Sequence, residues 1–453
     1  MAHIAPFRGL RYNPDTVSNL EDVFTPPYDV IDAAGEEALR AKHPYNMIRL
    51  DLGKKTSGAE EDAGRYAGSR DLLMLWQREQ VLIRDPRPAI YLYHVEYSHP
   101  SGHRLVRKGL VALVGLAEFS EGVVKPHEKT FRGVITDRLR LLETCETQFS
   151  QIFSLYPDPE GAVMRCLESA CAGPPLYRAV DGDGGYHSLW GVDDPAVLAE
   201  VGQRFRDKAL YIADGHHRYT TALQLREKAK AARGVLPATS PFNFTMMYLC
   251  PMEDEGLSVL PTHRLARLPG GAPVDDIFAK LASAFTVAEI SGAARETLVS
   301  ETLARMADNA QGRVIFGLYH PTTDRAFLLT LKEGAMEQAF GDRHPPALRQ
   351  LDVVVLSDLL LEHCLGLTHD RCADENLVDY FSDPDVALDQ AVKEAAMATD
   401  REPLLFLMNP TAVGQVRQVA DAGLVMPHKS TYFYPKILTG LVMHKIVADE
   451  SIV

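Results

Sequence analysis

Short apolar runs alternate with longer segments of helical periodicity along most of this chain. Residues 89–98 and 105–118 alternate apolar and polar positions, and the turn at 99–102 joins them, which predicts two antiparallel strands. Residues 136–148 and 162–171 repeat apolar positions at the spacing of a helix. Strands and helices interleave in the same way towards residue 453. The pattern therefore predicts an α/β fold, with α+β as the alternative.

One transition between strand and helix carries an unusual set of side chains. The apolar run 210–212 reads as a short buried strand, and helical periodicity resumes at Tyr219. Between them lies the sequence Asp214-Gly215-His216-His217-Arg218. A turn that leads from a strand into a helix points backbone N–H groups and cationic side chains at one place. We therefore predict an anion site, with phosphate as the favoured anion, and a solvated polar turn as the alternative.

Composition and charge narrow the classes of function. The chain has 453 residues, of which 46% are hydrophobic and 24% charged, and this predicts a globular protein of two or three domains. A net charge of −14 without a basic stripe disfavours binding to nucleic acid. The first residues lack a signal-peptide pattern, and no apolar run approaches the length of a membrane span. We expect a cytoplasmic protein without a membrane partner, and the oligomeric state stays open.

Two further clusters carry candidate chemistry. In Lys125-Pro126-His127-Glu128, the carboxylate of Glu128 follows a strand and a proline-defined turn. A carboxylate fixed near a phosphoryl acceptor can orient or deprotonate an alcohol, although pairing with Lys125 or Lys129 is the alternative. The cluster Thr262-His263-Arg264 follows the end of a predicted strand, where ligand contacts gather in α/β folds. A surface turn is the alternative for this cluster.

The side chains at 214–218 suit phosphate chemistry better than other chemistries. Imidazole and guanidinium groups donate hydrogen bonds to phosphate oxygens. Asp214 can accept either a water bound to Mg²⁺ or the proton of a hydroxyl group. A metal site at His216 and His217 stays open as an alternative.

The chain lacks a P-loop and a nucleophile elbow, and Phe131 stands where a zinc helix starting at His127 needs its second histidine. The six cysteines include no C-x-x-C pair, so neither a zinc ribbon nor a disulfide framework is expected.

Two of these clusters together resemble a known pattern. Residues 125–128 followed by 212–219 resemble the ParB/sulfiredoxin-like superfamily, and within it the archaeal free-serine kinases, in which a KPHE segment precedes a DGHHR segment. Over nearly its whole length the chain also resembles a bacterial family of uncharacterised proteins, domain of unknown function 1015. The shared segments are residues 8–12, 26–31, 137–139, 211–219, 261–264 and 429–435.

The resemblance implies a domain organisation. A ParB/sulfiredoxin-like mixed α/β core is expected at 111–267, with additional α/β regions at 1–110 and 268–453. The chain departs from the serine kinases in two ways: residues 131–209 contain a large insertion, and both terminal regions are additional. Because those smaller kinases lack the terminal regions, a different acceptor stays open as an alternative. Where sulfiredoxin has a reactive cysteine, this chain has a histidine, so thiol chemistry is excluded at that position.

The resemblance also implies an activity. It predicts a kinase that uses ADP or ATP with Mg²⁺ to phosphorylate a small hydroxyl acceptor such as free L-serine. The alternative is a nucleotide-binding regulatory or partner-binding module of the ParB type, without turnover. The implied site has Glu128, Asp214, His216 and His217 as catalytic residues, Asp214 as the Mg²⁺ ligand, Lys125, His127, Gly215, His216, His217 and Arg218 around the nucleotide, and Thr262, His263 and Arg264 around the acceptor.

Overall fold

The structure, a computed structural model, describes residues 1–53, 61–171, 173–269, 274–291, 295–309, 312–397 and 400–453. The chain divides into two compact units. Unit 1 comprises Met1–Pro126, Thr130–Ser258 and Phe433–Val453, and unit 2 comprises His127–Lys129 and Val259–Tyr432. The domain boundaries at residues 110 and 267 stay a prediction.

Strands and helices alternate through the described residues. The strands are β1 (Ile4–Ala5), β2 (Leu10–Tyr12), β3 (Leu82–Arg84), β4 (Ile90–Ser98), β5 (Arg104–Gly115), β6 (Val124–Lys125), β7 (Thr147–Gln148), β8 (Ile152–Tyr156), β9 (Tyr177–Val180), β10 (Tyr186–Val192), β11 (Leu210–Asp214), β12 (Phe244–Pro251), β13 (Ser258–Leu260), β14 (His263–Pro269), β15 (Phe285–Ile290), β16 (Ile315–His320), β17 (Arg325–Leu331), β18 (Val378–Phe381), β19 (Arg401–Leu407), β20 (Tyr432–Tyr434) and β21 (His444–Lys445). The α-helices are α1 (Ala33–Lys42), α2 (Ile48–Asp51), α3 (Glu61–Arg78), α4 (Arg132–Cys145), α5 (Ala162–Ala170), α6 (Pro195–Phe205), α7 (His216–Arg233), α8 (Val274–Leu281), α9 (Arg295–Asn309), α10 (Ala335–Phe340), α11 (Pro346–Arg349), α12 (Asp352–Val354), α13 (His369–Asp374), α14 (Pro384–Ala396) and α15 (Val413–Asp421). A π-helical segment follows α12 at Val355–Cys364.

Unit 1 is built on a nine-stranded mixed sheet. Its strand order is β6-β11-β8-β12-β5-β4-β10-β9, and β1 pairs with β5. Strand β11 runs parallel to β6 and antiparallel to β8, whereas β12 runs parallel to β8. The predicted hairpin at 89–118 is confirmed by the antiparallel pairing of β4 with β5. The α/β class is confirmed, and the ParB/sulfiredoxin-like core stays a prediction.

One face of this sheet is covered by helices α5, α6 and α7. Alternate residues of the central strands, such as Leu110 and Leu249, are fully buried there. They meet the apolar sides of the helices, including Leu167 of α5, Phe205 of α6 and Tyr219 of α7. Burial of a large apolar side chain contributes roughly 1.5–3 kcal/mol, so this layer fixes helix α7 on the sheet.

The first turn of α7 is also anchored by hydrogen bonds. The hydroxyl of Tyr219 donates to the carbonyl oxygen of Ala117 at 2.7 Å and accepts from the N–H of Ala117 at 3.1 Å. Both groups are buried, and a buried polar group is costly unless it is paired. The start of α7 is therefore tied to the segment that follows β5.

Unit 2 is built on a six-stranded antiparallel sheet of order β15-β17-β16-β19-β14-β18. Helices α9 and α14 bury apolar residues on it, among them Met306 and Ala391 against Leu405 and Tyr319. In the part of the chain that the structure describes, no helix is both long and apolar enough to cross a membrane.

Candidate functional site

The strand-to-helix transition is sharper than the sequence pattern predicted. Helix α7 begins at His216, directly after the N-cap Gly215, so His216, His217 and Arg218 form the first helical turn and not a preceding loop. The pairing of β11 with β8 shifts register between Ile212 and Asp214, which is the mark of a β-bulge. The bulge turns the end of the strand and places Asp214 at the N-terminus of helix α7 (the mouth of α7).

Gly215 is required by both backbone and space. Its φ of 94° lies in the left-handed region, which residues with a Cβ rarely adopt. A Cβ at this position would lie 2.9 Å from Nη2 of Arg218 and 3.0 Å from its Cζ. The absence of a side chain therefore lets the guanidinium fold back over the N-terminus of the helix.

Asp214 is held between two cations. Nη2 of Arg218 donates to its Oδ2 at 2.9 Å, and Nζ of Lys436 donates to its Oδ1 at 3.2 Å. Burial alone would raise the pKa of this carboxyl, but the charges of Lys436 and Arg218 outweigh burial and hold the pKa well below its usual range. Asp214 is therefore a carboxylate with both oxygens engaged.

Arg218 is engaged on its other side as well. Its Nη1 donates to Oγ of Ser150 at 3.1 Å and to the carbonyl oxygen of Gln151. The guanidinium thus connects the mouth of α7 to the segment before β8. Beside it lies a cavity of about 60 Å³, which Asp51, Arg138 and Tyr28 help to line. That volume and its polar lining suit a few water molecules.

The two histidines occupy different environments. His216 is buried, whereas His217 is partly accessible and stacks on the ring of Phe131 at 5.8 Å between centroids. Nε2 of His217 accepts the backbone N–H of Phe131 at 2.9 Å, so the proton of the neutral ring lies on Nδ1. Burial lowers the pKa of His217. The ring is therefore neutral at physiological pH.

A second carboxylate belongs to the same electrostatic cluster. Asp29 is accessible from solvent. Loss of hydration beside its protein neighbours and the charge of Asp214 raise the pKa of its carboxyl group. The charges of Arg218 and Lys436 act in the opposite direction. Two carboxylates whose pKa values are pushed apart are a feature of acid–base sites. Sequence analysis did not select Asp29 or Lys436 as site residues. Asp29 lies inside the shared segment 26–31, and Lys436 directly follows the shared segment 429–435. The positions of these two segments were therefore the sequence feature that could have indicated both residues.

The two sequence motifs begin on neighbouring strands. Lys125, at the end of β6, pairs with Tyr211 of the parallel strand β11. Its Nζ lies 5.4 Å from the centre of the Tyr211 ring, a cation–π distance. The start of the KPHE segment is thus adjacent to the strand that leads into Asp214.

The remaining predicted residues lie in unit 2. The carbonyl oxygen of His127 accepts the N–H of Met426 at 2.8 Å, and its Nε2 lies 3.0 Å from Oγ1 of Thr431. Glu128 forms a parallel β-bridge with Met426. The charge of Glu128 acts on Arg264 in the same unit and favours its protonated form.

The cluster at 262–264 is an interior feature of unit 2. His263 and Arg264 begin strand β14 and are buried, so the alternative of a surface turn is wrong. Nδ1 of His263 accepts the N–H of Met408 at 3.0 Å, and burial lowers the pKa of this ring to about 4. Arg264 donates to the carbonyl oxygens of Thr262 and Lys429, and burial lowers its pKa to about 10. The assignment of these residues to an acceptor stays a prediction.

The metal role predicted for Asp214 meets an electrostatic obstacle. Both oxygens of Asp214 already contact cations. A Mg²⁺ ion binds carboxylate oxygens directly, so it would have to compete with these two cations for them. Across the described residues no group of three His, Cys, Asp or Glu side chains is arranged to hold a metal ion. The assignment of Asp214 as a Mg²⁺ ligand therefore stays a prediction.

The chain belongs to the family described as protein of unknown function (DUF1015), whose family model matches residues 4–354. Solved structures similar to it include a free serine kinase variant in complex with ADP, at 12% identity and a TM-score of 0.34, with 72% of this chain and 91% of that chain covered. A conserved hypothetical protein from Pyrococcus furiosus has 14% identity and a TM-score of 0.33, with coverage of 72% and 94%. SbnI with a C-terminal truncation from Staphylococcus aureus has 10% identity and a TM-score of 0.31, with coverage of 73% and 85%. No curated protein matches the chain.

Proposed function

We propose that this protein transfers a phosphoryl group from ADP or ATP to a small hydroxyl acceptor such as free L-serine. The observation that carries the proposal is the mouth of α7, where the two cations Arg218 and Lys436 hold the carboxylate of Asp214 beside a glycine N-cap. The likeness of the KPHE and DGHHR segments to those of the free-serine kinases supports the choice of reaction.

The mouth of α7 suits a phosphate group for two reasons. The helix is 18 residues long, and its N-cap is Gly215, which has no side chain that could occupy the first N–H groups. The N-terminus is also the positive end of the helix dipole. Lys436 and Arg218 compensate the charge of Asp214, so this carboxylate does not repel an approaching anion. In the proposal the donor's phosphates lie against the first turn of α7, with Nδ1–H of His217 as a further donor.

The reaction needs an acceptor oxygen in line with the donor phosphorus. The new O–P bond forms as the bond between the transferred phosphorus and the oxygen of the leaving nucleotide breaks, and the hydroxyl proton passes to a carboxylate. By resemblance that carboxylate is Glu128. Phosphoryl transfer needs little covalent help from the protein, so positioning and charge supply the rate enhancement.

The test is product formation. The protein is incubated with ATP or ADP, magnesium chloride and single amino acids, and products are followed by ³¹P NMR. We expect O-phosphoserine from L-serine and no product from L-alanine, which lacks the hydroxyl. Nucleotide binding without turnover for any amino acid would overturn the kinase and favour the regulatory module.

Glu128→Gln tests the proposed base. We expect turnover to fall at least 10²-fold, because general-base catalysis contributes about 10²–10⁴-fold, while calorimetry shows unchanged nucleotide binding. Glu79→Gln, which changes an exposed carboxylate in unit 1, is the matched control and should leave both properties unchanged. Full turnover in Glu128→Gln would remove Glu128 from the mechanism without removing the kinase assignment.

A further inference from the structure

Unit 2 contains a large cleft at the ends of three inner strands of its six-stranded sheet. The cleft has a volume of about 1190 Å³ and lies where β17 ends, β16 begins and β19 ends. Small-molecule sites usually measure about 300–1,000 Å³, so this one has room for a complete metabolite-sized ligand. Its walls come from residues 312–314, 330–337, 346–352 and 409–418.

A poorly satisfied carboxylate lies in this cleft. Asp352, the first residue of α12, is partly buried, and among the described side chains the one that donates to it is the amide of Asn409, at 3.4 Å. The same amide nitrogen also lies 3.4 Å from the carbonyl oxygen of Ile315. Both contacts are near the upper limit for a hydrogen bond. Burial raises the pKa of Asp352 to about 6.

Among the described residues that line the cleft, three are cations. Arg349 and Lys332 are bound to other groups, and the third, Arg313, has an exposed side chain. Arg349 donates to Glu337 at 3.2 Å and to the carbonyl oxygen of Gly341 at 2.8 Å. Lys332 donates to the carbonyl oxygen of Ala282 at 2.5 Å. Within the described part of the chain, no lysine or arginine lies within salt-bridge distance of Asp352. A carboxylate that is withdrawn from water and lacks a cationic partner is stabilised when a cation binds beside it.

We propose that this cleft binds a small ligand that carries a protonated amine or a guanidinium, with Asp352 as its anionic partner. Asn409 supplies a further polar contact, and the apolar wall at Leu331, Pro346 and Pro410 accommodates the carbon chain of the ligand. None of these residues belongs to the proposed phosphotransferase site, and the inference does not depend on that activity.

The experiment is calorimetric titration of the full chain, without nucleotide, with agmatine, which has a guanidinium at one end and an ammonium at the other. Glutarate, with negative charge at both ends, is the counterpart. We expect saturable binding of agmatine and none of glutarate. Failure of agmatine to saturate below about 10 mM, or equal binding of glutarate, would overturn the proposal.

Two variants of the cleft test whether the ligand binds at Asp352. Asp352→Asn should weaken agmatine binding at least tenfold, whereas Glu333→Gln, which changes an exposed carboxylate on the rim of the same cleft, should change it less than twofold. Asn409→Asp adds a second carboxylate beside Asp352 and should tighten binding. Unchanged affinity in both Asp352→Asn and Asn409→Asp contradicts the assignment, and the second variant keeps the test informative if the first does not fold.

Discussion

Nζ of Lys436 lies 3.2 Å from Oδ1 of Asp214, although the two residues are 222 positions apart in the chain. This contact, together with that of Arg218, defines the charge state of the mouth of α7. A carboxylate flanked by two cations can sit at the positive end of a helix without repelling an anionic ligand. The contact therefore links the segment Phe433–Val453 of unit 1 to the end of strand β11.

Lys436→Met should lower the stability of the protein. Asp214 then keeps one cationic partner, and loss of a charged hydrogen bond in a partly buried site costs about 1.5–3 kcal/mol. The measurement is urea unfolding at pH 7. Lys445→Met, which removes a hydrogen bond to the neutral side chain of Gln77, is the control and should cost less.

The effect of Lys436→Met should also depend on pH. The folded pKa of Asp214 is lowered, so its contribution to stability is fully present above the unfolded pKa of about 3.9 and is lost as the pH falls towards the folded pKa. We expect the difference in unfolding free energy between wild type and variant to be constant from pH 5 to 8 and to shrink below pH 4. A difference that grows on acidification would contradict the lowered pKa.

Gly215→Ala should destabilise the protein by about 1–2 kcal/mol or more, because alanine is strained at a φ of 94° and its Cβ meets the Arg218 guanidinium. The matched control is Gly68→Ala in the exposed middle of α3, where a Cβ meets nothing within 4 Å. That variant should be stabilised by about 0.5–1 kcal/mol. Thermal unfolding of both variants decides, and equal shifts would show that Gly215 has no special role.

Phe131→Ala should raise the pKa of His217. The ring of Phe131 stacks on the imidazole, and removing it lessens the burial that lowers this pKa. The backbone N–H of Phe131 stays in place to donate to Nε2. The readout is the titration of the Hε1 resonance by NMR. A pKa that stays the same would show that Phe131 does not cause the shift.

Asp29→Asn should change the pH profile of phosphoryl transfer. Because loss of hydration and the charge of Asp214 raise the pKa of Asp29, an acid limb from Asp29 should appear above the ordinary carboxyl pKa of about 3.8. Removing Asp29 should abolish that limb, and Asp214→Asn should shift it to lower pH. The measurement is kcat/KM for serine between pH 4 and 8. A profile that Asp29→Asn leaves unchanged would exclude Asp29 from proton transfer.

Sequence reasoning recovered what is encoded locally. The strand before Asp214, the glycine at 215 and the helix after it depend on adjacent residues, and so does the hairpin of β4 and β5. The start of α7 was placed a few residues late, because His216, His217 and Arg218 are as suitable for a polar turn as for a first helical turn.

Contacts between distant residues could not be predicted in the same way. No local pattern pairs Lys436 with Asp214 or brings the charge of Asp29 to bear on it, because both relationships result from the tertiary fold. The interior position of His263 and Arg264 was also missed, since charged residues are rarely buried unless paired. Their hydrogen bonds to Met408, Thr262 and Lys429 account for it.

The composition of unit 1 has a consequence for biosynthesis. Its final segment, Phe433–Val453, follows the whole of Val259–Tyr432 in the chain, and this segment carries Lys436 and the strand β21 that pairs with β7. A ribosome releases residues from the N-terminus onwards, so Asp214 emerges long before its lysine partner. Asp214 thus gains its second cationic partner only after Val259–Tyr432 has been translated.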